Sequence, residues 1–237
     1  MTDTSTRLPV RLIALVVAIL AAGELVAHFV DSSYGVVAIP VAALVVTVVA
    51  LRSGITWDEL GLARSTWSRG ARYALVLAGA VTVVVAVMAA IPAFRSVFED
   101  DRYDTGIGRA LVVALVLVPL RTVLPEELAF RGVLLAMLRR RYQTDTSVIV
   151  SSILFGLWHV TSSIGLSADN EAVGSFASGT AGQWLGVAGA VLVTAVAGGV
   201  LCWLRLRSGS LLAPIGLHWA VNGVGVIASS VVWTLTS

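Results

Sequence analysis

Residues 10–30 read VRLIALVVAILAAGELVAHFV, with Arg11, Glu24 and His28 as the only ionisable side chains in the run. Wound as a helix at about 1.5 Å per residue, such a run covers roughly 30 Å, the thickness of a bilayer's hydrocarbon core. Comparable runs recur at Val36 to Leu51, Arg72 to Phe94, Ile107 to Leu138, Ser147 to Val160, Gly182 to Leu204 and Ser210 to Trp233. The pattern predicts an all-α polytopic transmembrane helix bundle of seven spans, or eight if the last run divides into two short helices. The fourth run holds Pro119 and Pro125, each of which removes a backbone donor, and a break near Pro125 is expected.

The rest of the chain agrees with this reading. Of the 237 residues, 57% are hydrophobic and 13% charged, and the mean hydropathy is +0.92. An ordinary soluble domain carries about a quarter charged residues, and a disordered chain combines low hydrophobicity with high net charge; both classes are excluded. The first run follows Arg7 and Arg11 as a signal peptide would, but its length and the spans behind it make it a retained first helix. One integral-membrane domain results, with helices and an interfacial link in residues 1–106 and a chemistry-bearing core in 107–237.

All 16 basic residues are Arg, which with the abundance of Ala and Val reads as GC-rich coding and points to a bacterial plasma membrane. The Arg are spread over short links and form no single nucleic-acid-binding face. They mark every second link: Arg7 and Arg11; Arg52, Arg64, Arg69 and Arg72; Arg139, Arg140 and Arg141; Arg205 and Arg207. The other links carry Asp31, then Glu99, Asp100, Asp101 and Asp104 among three Arg, then Asp169 and Glu171. Short Arg-rich links stay in the cytoplasm, so the N-terminus is expected there and the C-terminus outside. Trp57 and Trp67, with Leu60 and Leu62, place the second link in the headgroup region. Cys202 is the only cysteine, which excludes a disulfide within the chain and a cysteine-based zinc cluster.

Ionisable groups inside spans cost about 2.5 to 3.5 kcal/mol each on insertion scales, so those present require a purpose. Glu126 and Glu127 are adjacent in Leu124-Pro125-Glu126-Glu127-Leu128-Ala129-Phe130-Arg131-Gly132 and point about 100° apart on a helix. Glu127 and Arg131, four apart, share a face and are expected to pair, leaving Glu126 free. His159 closes Phe155-Gly156-Leu157-Trp158-His159, where bonding to a neighbouring carbonyl is the plainer reading. His218 and Asn222 are four apart on one face of the last helix, a spacing suited to two donors for a developing oxyanion. Counted from the cytoplasmic ends of their helices, Glu126, His159 and His218 reach similar depths of roughly 16 to 20 Å and are expected to share one cavity. Elsewhere, Glu24 and His28 are expected to pair, and Gly186, Gly189, Gly198 and Gly199 to permit close helix packing.

Glu-Glu-x-x-x-Arg, then Phe-x-x-x-His, then His-x-x-x-Asn on successive membrane helices resembles the CAAX protease and bacteriocin-processing (Abi) family of intramembrane proteases. Phe130-Arg131-Gly132 and Ser208-Gly209-Ser210-Leu211-Leu212-Ala213-Pro214 also resemble the family's pattern, and the likeness covers about residues 110–225. Arg121, between the two prolines, departs from it and competes with Arg131 for Glu127. The resemblance implies peptide-bond hydrolysis by a glutamate-activated water: Glu126 as base, His159 orienting the water or protonating the leaving amine, and His218 and Asn222 holding the oxyanion. Glu127, Arg131 and Phe155 support them. No cofactor is required, with zinc on the same residues as the rival and a non-catalytic scaffold or transporter as a second. The expected partners are a peptide or membrane-protein substrate and the lipid bilayer; the sequence does not specify the oligomeric state.

Overall fold

A computed structural model describes residues 7–30, 33–99, 106–164 and 179–236. Asp31, Asp100, Asp101, Asp104, Asp169 and Glu171, and most of the loop between Ser162 and Gly182, lie outside the described residues. Among the described residues there are helices and no strand: α1 Val10–Phe29, α2 Ser33–Arg52, α3 Trp57–Leu60, α4 Trp67–Ala90, α5 Ile107–Arg139, α6 Thr144–Trp158, α7 Gly179–Ser208 and α8 Leu212–Thr236. Six of them, α1, α2, α4, α5, α7 and α8, are long and apolar enough to cross a membrane. The expected fifth span, α6, has 15 residues, about 22 Å of helix, and falls short of a full crossing. The last run forms one span, not two.

The expected break near Pro125 does not occur. The helix continues from Ile107 to Arg139, with right-handed helical backbone angles on both sides of the proline, at Val123 (φ −65°, ψ −54°) and Leu128 (φ −62°, ψ −44°). What changes is the hydrogen-bond pattern. Val113–Val123 and Leu128–Leu134 form wide turns of π type, in which the Leu124 N–H reaches the Pro119 carbonyl and the Leu135 N–H the Phe130 carbonyl. Wider turns let the ladder absorb a residue without a donor while the helix goes on.

From Pro125 to Leu138 every residue except the half-buried Leu128 is buried, so this half of α5 is the centre of the bundle. α1, α2 and α6 close on it through Val16, Val46, Phe130, Leu134, Met137 and Phe155. The outside is apolar instead: Leu75, Val76 and Leu185 are each more than 70% exposed, as side chains facing lipid must be. α7 crosses α6 at Gly156, where a Cβ would lie 2.6 Å from the Val191 carbonyl oxygen, and at Gly198, where one would lie 3.2 Å from Ser152 Cα. Gly198 thus packs as expected, whereas nothing lies within 4 Å of a Cβ at Gly189.

The Arg-rich links gather on one face. Arg140 donates through Nε and Nη2 to the Glu59 carboxylate, both at 2.7 Å, and to the Gly54 carbonyl. Buried Arg205 donates to the Asp58 and Glu59 carbonyls, and Gly61, at φ +80°, leaves room for its guanidinium. Leu211 N–H bonds the Gly61 carbonyl, which ties the α7–α8 turn to the same link. Trp57 and Trp67 are about half exposed while Leu60 is fully buried, the arrangement expected of an interfacial link.

Candidate active site

Three helices bring the polar residues together. Glu126 and Glu127 lie in the enclosed half of α5, His159 caps the C-terminal end of α6, and His218 lies in the first half of α8. The turn leading into α8 is made by Gly209 at φ +73°, a conformation that side-chain-bearing residues rarely adopt. Ser208 Oγ accepts from the Ser210 N–H, and Ser210 Oγ accepts from the Leu212 N–H. Trp219 Nε1 then donates to the Ala114 carbonyl at 2.9 Å and fixes α8 against α5.

Glu127 is fully buried and its Oε1 serves two partners, Arg131 Nη1 at 3.0 Å and His218 Nδ1 at 2.8 Å. The Arg131 pair is the one expected from the spacing. Arg121 is exposed and does not compete. The His218 link, between residues 91 apart, has no signal in the sequence. Arg131 is itself buried, with its guanidinium carbon 3.8 Å from the centre of the Phe155 ring. Phe155 also meets the His159 ring edge to face, centroids 4.6 Å apart, and its carbonyl accepts from His159 Nδ1 at 2.8 Å. The carbonyl-bonded reading of His159 and its membership of the cluster therefore hold together.

These bonds fix both imidazoles. A carbonyl and an ionised carboxylate only accept, so Nδ1 carries a proton in each ring and Nε2 remains uncommitted. Both Nε2 atoms stand 4.0 Å from Glu126 Oε2, an atom with no hydrogen-bond partner among the described residues. The three atoms that remain uncommitted thus point at one another. The Asn222 side chain makes no hydrogen bond within this constellation: the residue is half-buried, one turn beyond His218 in a π-type stretch, Ala220–Val224, and its side chain has no hydrogen bond to a described residue.

Residues 108–224 match the family model Rce1-like, described as type II CAAX prenyl endopeptidase Rce1-like. That segment, just under half of the chain, belongs to this family. The matched segment begins one residue into α5 and ends just beyond Asn222, so it contains every residue of the cluster. No curated protein and no solved structure matches the chain. As an Rce1-like protein it is an integral-membrane peptidase, a hydrolase whose substrates are peptides or membrane proteins and whose surroundings are the lipid bilayer.

One other expectation is corrected, and one residue gains a role. Glu24 does not pair with His28: buried Glu24 accepts from Thr161 Oγ1 at 2.5 Å, while His28 is exposed with its ring against Phe29. Arg205, assigned by sequence only to the charge pattern, is buried beneath the α3 link and satisfies two of its carbonyls.

Proposed function

We propose that this Rce1-like protein is an intramembrane endopeptidase in which Glu126 activates the attacking water. The observation that carries the reading is the convergence of Glu126 Oε2 with His159 Nε2 and His218 Nε2. The 4.0 Å gap between Glu126 Oε2 and each Nε2 has the width that one bridging water fills: standing about 2.8 Å from both ends, that water subtends roughly 90° and donates to Glu126.

In this mechanism the water oxygen bonds the scissile carbonyl carbon as its proton passes to Glu126. The carbonyl π electrons move onto the oxygen. His218, protonated on both nitrogens and held through Nδ1 by the Glu127 carboxylate, donates from Nε2 to that oxyanion, with Asn222 as a second donor once substrate is bound. A well-aimed donor of this kind is worth roughly 3 to 4 kcal/mol in proteases. Collapse of the intermediate breaks the C–N bond, and the proton taken by Glu126 reaches the leaving amine directly or through His159.

The zinc rival would use the same three atoms around a metal-bound water. Ligands of a tetrahedral zinc lie roughly 3.3 Å from one another, closer than the 4.0 Å separations here, which favours the direct role for Glu126. The substrate is a peptide or membrane-protein segment presented within the bilayer; in a bacterium, a secreted peptide, a bacteriocin or a membrane-protein segment fits better than a prenylated tail. The cytoplasmic N-terminus expected from the Arg pattern belongs to the same proposal.

Glu126→Gln tests the assignment. Glu126 Oε2 has no hydrogen-bond partner to lose, so the variant is expected to fold normally and to lose about 10²- to 10⁴-fold in turnover of a peptide substrate by purified protein in liposomes. Near-wild-type turnover would remove Glu126 as the base.

A further inference from the structure

A cavity of about 650 Å³ opens on the Arg-rich face, and none of the clustered glutamates and histidines lines it. It is lined by Arg69, Arg72, Tyr73, Val76 and Leu77 of α4 and by Arg207 at the end of α7. Residues 69, 72, 73 and 76 repeat at helical spacing and form one stripe on α4. The three Arg side chains are exposed, none forms an ion pair with a described residue, and the lining contains no acid. Arg140 and Arg205 on the same face are, in contrast, committed to the α3 link.

The level of the cavity in the membrane follows from its neighbours. Trp67 and Trp203 are about half exposed and lie within four residues of Arg69 and Arg207 respectively; exposed Trp marks the headgroup zone. Val76 is seven residues beyond Arg69, about 10 Å deeper along α4, and is 71% exposed. Cations therefore ring the mouth at headgroup depth, and the apolar floor runs out into hydrocarbon.

We infer that this cavity binds one anionic phospholipid, its phosphate held by Arg69, Arg72 and Arg207 and its acyl chain lying along Val76 and Leu77. Guanidinium forks match phosphate oxygens, and three of them exceed what a single carboxylate needs. The bound lipid has a structural consequence. α4 is wedged against the start of α8, with Gly70 against Ser210 and Gly216 against Ala74, both so close that a Cβ would lie 2.4 Å from its neighbour. A lipid bridging Arg69, Arg72 and Arg207 clamps α4 to the turn that leads to His218. The inference does not depend on the catalytic roles proposed above.

The test is lipid retention by the purified full-length protein, measured by native mass spectrometry with phosphatidylglycerol against phosphatidylcholine. Wild-type protein is expected to retain one phosphatidylglycerol in preference. Arg69→Ala/Arg72→Ala/Arg207→Ala is expected to weaken that retention at least about tenfold, and Arg11→Ala/Arg52→Ala/Arg64→Ala, which removes the same charge from the same face, less than about twofold. Equal loss in both triple variants would overturn the site in favour of diffuse surface charge. Wild-type protein supplies an arm independent of variant folding: a photoactivatable phosphatidylglycerol with a diazirine on its acyl chain is expected to label residues 73–77, and labelling confined elsewhere would overturn the inference. Displacement of the lipid by millimolar inorganic phosphate would reassign the cavity to a free phosphate. Displacement by a peptide with a free C-terminal carboxylate, but not by its amide, would reassign it to substrate.

Discussion

Glu127→Gln isolates the charge at the centre of the site. Both partners of Glu127, Arg131 Nη1 and His218 Nδ1, bond the same oxygen, Oε1, and Oε2 has no hydrogen-bond partner among the described residues. A glutamine with its carbonyl at the Oε1 position keeps both hydrogen bonds and places its amide where Oε2 was. The change therefore removes the negative charge and little else. Arg131 is 1% exposed, and its Nε and Nη2 also lack hydrogen-bond partners among the described residues, so it is left as a buried cation with the Phe155 and Phe130 rings, 3.8 and 5.9 Å from its guanidinium carbon, for compensation. Removing one member of a buried ion pair costs about 3 to 5 kcal/mol. A destabilisation near the lower end is expected, because the hydrogen bonds and the cation–π contact remain. The assay is thermal or denaturant unfolding of the purified protein in one fixed detergent, with Arg131→Met and the double variant completing a cycle. The double variant is expected to be more stable than the sum of the two single losses allows. Turnover of the folded Glu127→Gln protein is expected to fall less than that of Glu126→Gln, since His218 keeps its orientation and loses only its counterion. Wild-type stability in Glu127→Gln with no coupling to Arg131 would refute the reasoning that this pair is the electrostatic anchor of the cluster.

Metal content measured against activity decides the zinc question: zinc-free protein is expected to be fully active, and stoichiometric zinc lost and restored together with turnover would recast Glu126, His159 and His218 as ligands. Gly156→Val puts side-chain atoms against the Val191 carbonyl and Ala195 and is expected to destabilise the protein by about 1 to 3 kcal/mol, read by unfolding in the same detergent. Glu59→Gln breaks the partly exposed Arg140 bridge and is expected to cost at most about 1 kcal/mol, with the difference from wild type shrinking at high salt.

Sequence alone determined what depends on neighbours along the chain. Apolar run length settles which segments enter a bilayer, because every buried backbone group must bond within its own helix. Helical spacing put Arg131 on the face of Glu127, and depth counted from the Arg-rich ends brought Glu126, His159 and His218 to one level. Local periodicity could not give the rotation of one helix against another. Packing sets that rotation, here through Gly156 and Gly198 between α6 and α7 and through Gly70 and Gly216 between α4 and α8. Hence only the tertiary structure decided that Glu127 holds His218, that Glu24 turns to Thr161 and not to His28, and that Asn222, on the expected helix, bonds none of the other three. The uninterrupted α5 belongs with these: proline chemistry forbids one hydrogen bond, but whether the helix then breaks or continues depends on the walls around it, and at Pro125 the helix continues between the wide turns of Val113–Val123 and Leu128–Leu134.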